Sequence, residues 1–287
     1  MIVARIGVQT LMLKSAAEKI GAYETLRRVR EIGYRAVEVS QFAMTDAGLT
    51  EMERAHFELG IEFAALSVSL DNRGAYSDAI ETDFDRIVAY SRRLETGMLR
   101  IGMLPPAVMA SSEALLSYCD RLEVAACRLA DVGIGLHFHN HHLEFAKQAG
   151  RHLLDIMLER MPTIGLELDV HWIQRGGLDP VTIIRRYADR IRMVHLKDYR
   201  IGSLPSSAAE SLADGRVEQF LAAFAAVVEF AEVGEGNLNF AAIVPAAIDS
   251  GAEYLFVEQD ELFGVSAWDA LRTSRDNLRS LGFADLF

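Results

Sequence analysis

Six of the eight histidines fall in three short stretches: His137, His139, His141 and His142 in HisPheHisAsnHisHisLeuGlu, His171 in GluLeuAspValHisTrp, and His195 in HisLeuLysAsp. Only His56 and His152 lie elsewhere. Carboxylates accompany them: Glu144, Glu167, Asp169 and Asp198, with Glu258 and Asp260 further on. Imidazoles and carboxylates converging from several elements make a site for a divalent cation such as Mn²⁺, Co²⁺, Mg²⁺ or Zn²⁺. Residues two apart on a strand share a face, so His137 and His139 point one way while Phe138 packs the other. Asp169, His195 and Glu258 each end an apolar run, where a polar group needs water, a partner or a metal to offset its desolvation. For Asp169 and Glu258 the plainer alternative is a salt bridge to Lys197 or Arg192. For His141 and His142 it is water, and for Glu167 and Asp198 the holding of loops and helix starts. Trp172 is either a cap on the fold or an aromatic wall beside a sugar ring.

These stretches must be positioned by the elements around them. Short apolar runs recur at Arg5–Gln9, Ala36–Val39, Ile61–Leu70, Met98–Met103, Ile134–Phe138, Gly165–Val170, Arg192–Leu196 and Tyr254–Glu258. Between them lie segments of helical spacing: Tyr23–Ile32, Leu49–Leu59, Phe84–Leu94, Ser112–Asp131, Leu153–Arg160, Pro180–Ala188 and Ala241–Ser250. Gly33, Gly60 and Gly133 stand where helices should stop. Eight strands alternating with helices predict an α/β fold, a (β/α)8 TIM barrel. The interval between His195 and Glu258 is about twice the others, which predicts a helical insertion after strand seven (about 199–233) with a helix over Val217–Val228. No Pro/Gly/Ser-rich linker divides the rest, so residues 1–287 are expected to form one domain. No G-x-G-x-x-G follows the first strand, which disfavours an open doubly wound sheet. Barrel active sites lie at the C-terminal ends of the strands, where the histidines fall.

The 287 residues carry 41 acidic and 29 basic side chains, a net charge of −12. That balance argues against duplex nucleic acid as a partner. Cys119 and Cys127 are too few for a disulfide scaffold and read as small core residues in a reducing compartment. The N-terminal stretch MIVARIGVQTLMLK lacks a basic region followed by a long apolar core, and no apolar run is long enough to span a bilayer. A cytoplasmic protein with no membrane association is expected. Phe220, Leu221, Phe224, Val227 and Val228 make the insertion apolar on more than one face. A homo-oligomer, most simply a dimer, is the expectation, with the insertion over the barrel mouth.

HisPheHisAsnHisHisLeuGluPhe, LeuAspValHisTrp, HisLeuLysAsp, ValGlyGluGlyAsnLeuAsn and ValGluGlnAsp together resemble the xylose-isomerase-like sugar isomerase/epimerase family, whose barrel is shared with the family 2 AP endonucleases. The motifs span the C-terminal half; the N-terminal half matches in its barrel rhythm and in IleGlyValGlnThr. The resemblance implies one divalent ion held from strands five to eight. Asp169, His195 and Glu258 match the ligand positions on strands six to eight. The fifth-strand position, a glutamate in many relatives, aligns with His137, with His139, His141 and Glu144 as alternatives. The Gly-Glu-Gly motif, with Glu235 as a substrate contact, is followed here by Asn239 where relatives have Asp.

The resemblance further implies a carbohydrate substrate and proton transfer next to a metal-bound carbonyl. Glu258 would serve as one base, with His139 or Glu144 on the other side and Lys197 on a substrate oxygen. His141 and Trp172 would line the substrate. The first expectation is a metal-dependent sugar or keto-sugar isomerase or epimerase. The second is a dehydratase or lyase on an inosose-like or 3-keto-sugar substrate. A DNA-repair endonuclease, which needs a basic groove, and a non-catalytic binding barrel rank below both. No Gly-rich phosphate loop is evident, which favours a neutral carbohydrate.

Overall fold

The computed structural model describes residues 4–71, 78–109 and 111–287. Its centre is a closed barrel of eight parallel strands, each paired with its neighbours in the chain and the last with the first. They are β1 (Arg5–Gln9), β2 (Ala36–Val39), β3 (Glu62–Val68), β4 (Met98–Ile101), β5 (Gly135–His139), β6 (Gly165–Asp169), β7 (Ile191–Leu196) and β8 (Tyr254–Val257). Helices cover the outer face, so both strand faces are buried and the strands read as near-continuous apolar runs. The local sequence accounts for the helix limits. The helix Asp46–Leu59 opens where the Thr45 side chain accepts from the Gly48 N–H and stops at Gly60, with φ of 65°. The helix Ala22–Ile32 buries Leu26, Val29 and Ile32 on one side and stops at Gly33, with φ of 122°. Only glycine takes such angles without strain.

Two apolar volumes result. The larger lies between strands and helices. Inside the barrel a small separate plug is made of Ala64, Ala65, Met193 and Phe256. Along β7 the alternation Met193, His195, Lys197 carries one face from this plug up to the C-terminal mouth. All three are buried.

The structure adds elements that the pattern of apolar runs does not reveal: helices Lys14–Ile20 and Ala267–Leu278. After β7 an antiparallel ribbon pairs Asp198–Ile201 with Val228–Ala231, and its far end carries helices Ser206–Ala213 and Val217–Ala225. The helix expected to reach Val228 ends at Ala225, because Val228 begins the returning strand. Leu221 and Phe224 on it are 55% and 60% exposed. At the foot of the ribbon Asp198 accepts four backbone N–H groups, from Tyr199, Gly234, Gly236 and Leu238. A Cβ on Gly236 would lie 2.3 Å from the Asp198 Oδ1, so this loop requires glycine there. Cys119 is a core residue as expected, but Cys127 is exposed, on the outer side of its helix. Among the described residues no helix is long and apolar enough to cross a membrane.

Candidate active site

The C-terminal ends of β5 to β8 bring four side chains together. His139, Asp169, His195 and Glu258 each offer one donor atom, and these atoms lie within 4.8 Å of one another. Local structure explains their aim. The Asp169 Oδ1 accepts from the Trp172 N–H (3.0 Å) and caps the following helix, which leaves Oδ2 for the barrel axis. Asn140 accepts from the Asp169 backbone N–H (3.0 Å), fastening the end of β5 to the end of β6. The His195 Nδ1 lies 2.8 Å from the Glu258 Oε2 and 3.8 Å from the Asp169 Oδ2. The His139 Nε2 is 3.9 Å from the same Asp169 oxygen. Lys197 closes the group, its Nζ 2.7 Å from Glu258, 3.2 Å from Asp169 and 3.0 Å from Asp260.

Beneath these residues lies a second charged layer. Glu38 on β2 and Glu167 on β6 flank Arg100 from β4, and both carboxylates also reach the His195 Nε2. In the two layers four buried carboxylates (Glu38, Glu167, Asp169, Glu258) meet two buried fixed cations, Arg100 and Lys197. The balance is negative, and against the opposing effect of burial Glu167, Glu258 and Glu38 raise the His195 pKa well above the ordinary histidine range. Buried charge of this kind demands compensation. Moreover, the Asp169 Oδ2, His195 Nδ1 and Glu258 Oε2 are buried without a well-formed hydrogen bond. Two imidazoles and two carboxylates are a donor set for a first-row divalent metal. The residues fit such an ion.

The electrostatics agree. Burial opposes charge on Lys197, yet Asp169, Glu258 and Asp260 outweigh it and lift its pKa above the ordinary lysine range. Burial likewise opposes ionisation of Glu258, but Lys197 and His195 hold its carboxyl well below the usual range. Glu38 is pushed up to about 7 by burial, against Arg100. Asp260 is raised to about 6 by burial and by the charge of Glu258. Burial depresses His139 to about 4 and His141 to about 3, so both are neutral at physiological pH.

A cavity of about 530 Å³ opens above the cluster, lined by Ser40, Gln41, Ser67 and Ser69 on one side and His139, His141, Lys197 and Glu258 on the other. Apart from cluster residues, four expected site residues do not line it: His137, Glu144, Glu235 and Trp172. His137 sits one level lower than His139: its Nδ1 is 3.2 Å from the Leu99 carbonyl, and its ring packs over Gly165, where a Cβ would lie 2.4 Å away. The fifth-strand member of the cluster is therefore His139 and not His137. Glu144 turns away on a short 3₁₀ turn, its carboxylate accepting from the His141 N–H (2.8 Å), so it holds a loop and does not face Glu258. Glu235 is exposed and accepts from the Asn277 side chain (2.9 Å) on the outer helix. Trp172 stacks on His142 and lies over Lys197, whose Nζ is 5.4 Å from the ring centroid. From the ribbon, Phe230 approaches the same ammonium at 5.8 Å.

Residues not anticipated from sequence complete the site. Gln9 donates to the Glu258 Oε1 (2.8 Å), and Arg100 donates to the Ser67 hydroxyl (3.0 Å). A signal for two of them exists: Glu38 and Arg100 are charged residues inside four-residue strands that are otherwise apolar.

Relatives in sequence and neighbours in fold carry related names. The inosose dehydratase of Lacticaseibacillus casei is 29% identical over 144 residues, which span 49% of this chain and 45% of that protein. The rhizopine catabolism protein MocC of Rhizobium meliloti is 30% identical over 148 residues, 50% of this chain and 42% of its own. The match thus spans less than half the length of these relatives. A sugar phosphate isomerase/epimerase from Parabacteroides distasonis shares the fold over 98% of this chain and 99% of its own, with a TM-score of 0.73 at 19% identity. The profile of the xylose isomerase-like TIM barrel family matches residues 26–281, and the chain belongs to that family.

Proposed function

We propose that this chain is a divalent-metal-dependent enzyme that removes a proton next to the carbonyl of a neutral keto-polyol and then expels water, a dehydratase of inosose-like rings. One observation carries the choice of elimination over the isomerisation expected first. Glu258 and Asp260 lie side by side at the mouth, both within 3.0 Å of the Lys197 Nζ, whereas the other basic groups among the described lining residues are the imidazoles of His139 and His141 and the Asp71 carboxylate, which is tied to Arg121 (2.9 Å). A two-faced epimerisation needs competent bases on both sides of the carbon, and burial has made the two imidazoles weak ones.

A divalent ion held by His139, Asp169, His195 and Glu258 would supply Lewis-acid stabilisation of negative charge on a substrate oxygen. The remaining steps belong to the chain. Glu258, ionised by its neighbours, accepts the proton from the carbon beside the carbonyl. The Asp260 carboxyl protonates the hydroxyl on the next carbon, which leaves as water while the bond between the two carbons becomes double. Lys197 keeps the two carboxylates in register, while burial and the charge of Glu258 raise Asp260 above its neighbour, the arrangement that assigns an acid and a base within one site. The cations that line the cavity, Arg100 and Lys197, are both committed to carboxylates. The neighbouring wall of Ser40, Gln41, Ser67 and Ser69 suits hydroxyl groups, which favours a neutral polyol over a phosphate ester. The test is to incubate the metal-loaded protein with keto-inositols in D₂O and follow the products by NMR. Net loss of water with a new conjugated absorbance is expected; deuterium exchange or epimerisation without loss of water would overturn elimination.

A further inference from the structure

His195 stands between two groups of ligand type. Its Nδ1 faces Asp169 and Glu258; its Nε2 lies 2.7 Å from the Glu38 Oε2 and 3.1 Å from the Glu167 Oε1. Glu38, Glu167 and His195 by themselves offer donor atoms close enough to hold a metal ion. That place is taken by Arg100, whose Nε is 2.9 Å from the Glu38 Oε1 and 2.6 Å from the Glu167 Oε2. Each carboxylate therefore spends one oxygen on the guanidinium and the other on the imidazole, which closes a ring of four polar side chains. The guanidinium is seated by design of the strand: it donates to Ser67, and a Cβ on Gly102 would lie 2.8 Å from its Nη1. An arginine is a permanent cation that cannot be deprotonated in a protein, so it offsets one of the pair's two negative charges whatever the pH.

We propose that Arg100 is a built-in cation that fills a second metal-type site, so that the barrel takes one divalent ion instead of two and His195 presents Nδ1 to it. Carboxylate oxygens of Glu38 and Glu167 meet Nε2, so with an ion on the other side of the ring the proton is held at Nε2 and the Nδ1 lone pair faces the ion. A partner beyond the ligand commonly fixes imidazole orientation in this way, and its loss costs about 10–100-fold in metal affinity.

The inference rests on the reading of the His139, Asp169, His195 and Glu258 cluster as a metal site, and its test separates the two. Wild type and Arg100→Gln are loaded with Mn²⁺ or Zn²⁺, desalted, and assayed for ions per chain by mass spectrometry. One ion in the wild type and two in Arg100→Gln are expected, with the second lost again in Arg100→Gln/Glu38→Gln. One ion in both wild type and a folded Arg100→Gln overturns the inference alone; none in the wild type overturns the metal site itself. Should Arg100→Gln fail to fold, Glu38→Gln in the wild-type background decides. Its ion count should stay at one while the metal Kd weakens 10–100-fold. A lowered melting temperature of the metal-free protein with an unchanged Kd would reduce Glu38 and Arg100 to structural parts.

Discussion

The two halves of the barrel mouth do different work. Strands β5 to β8 supply every side chain of the four-residue donor cluster. Strands β1 to β4 supply none of them, but hold them: Gln9 donates to Glu258, Glu38 meets His195, and Arg100 with Ser67 braces Glu167. Division into a half that presents donor atoms and a half that orients them shows why a charged interior is tolerated in a barrel core. Each carboxylate of the two layers has a cation or donor from another strand, and truncating one partner leaves the other uncompensated, at a cost of about 3–5 kcal/mol.

Substitutions can break this contrast, beginning with the half that presents donors. Asp169→Asn should abolish retained metal after desalting and lower turnover by about 10³-fold, consistent with the several kcal/mol a bound ion contributes to charge stabilisation. Retention of both would refute the cluster as the metal site. A sharper comparison sets His139→Ala against His137→Ala. The first should weaken metal binding with a small change in melting temperature. The second should destabilise the fold by about 1–3 kcal/mol and leave metal affinity unaltered, because His137 packs below the cluster. Calorimetric metal titration beside thermal unfolding distinguishes them. In the holding half, Gln9→Leu removes a donor to a buried carboxylate, a loss of about 1.5–3 kcal/mol, and should slow turnover by about tenfold or more while the ion is retained. The smallest effect is expected for Glu235→Ala, within about 0.5 kcal/mol in stability and without change in turnover, since its partner Asn277 lies on the outer helix.

The same contrast explains what could be read from sequence. The donor half was legible because histidines are scarce and six of eight mark strand ends, while the strand runs reappear in the barrel with shifts of at most two residues at most ends. The holding half was not. A lone Glu38 or Arg100 in an otherwise apolar short strand hints at a buried role, but its partners are known only when the barrel closes around it. Period-two alternation placed His137 and His139 on one face but says nothing of depth. His137 stands one layer below His139 on β5, and Gly165, with no side chain, leaves room for its ring there. Likewise, the spacing from His139 to Glu144 gives no sign that a 3₁₀ turn folds that carboxylate back onto the His141 backbone.

The ribbon after β7 has a consequence for how this barrel can be altered. Its foot is locked by the four N–H groups on Asp198, and its far end is already closed by a hydrogen bond from the Gly202 N–H to the Val227 carbonyl (2.6 Å). The two helices between those residues are thus an interchangeable cassette on a finished stem. The entropy of closing a loop grows only with the logarithm of its length, so a short turn or a foreign segment spliced between Gly202 and Val227 adds little strain to the barrel. What reaches the mouth from this region is Phe230 on the stem, not the cassette, so new recognition elements could be grafted there while the chemistry beneath stays intact.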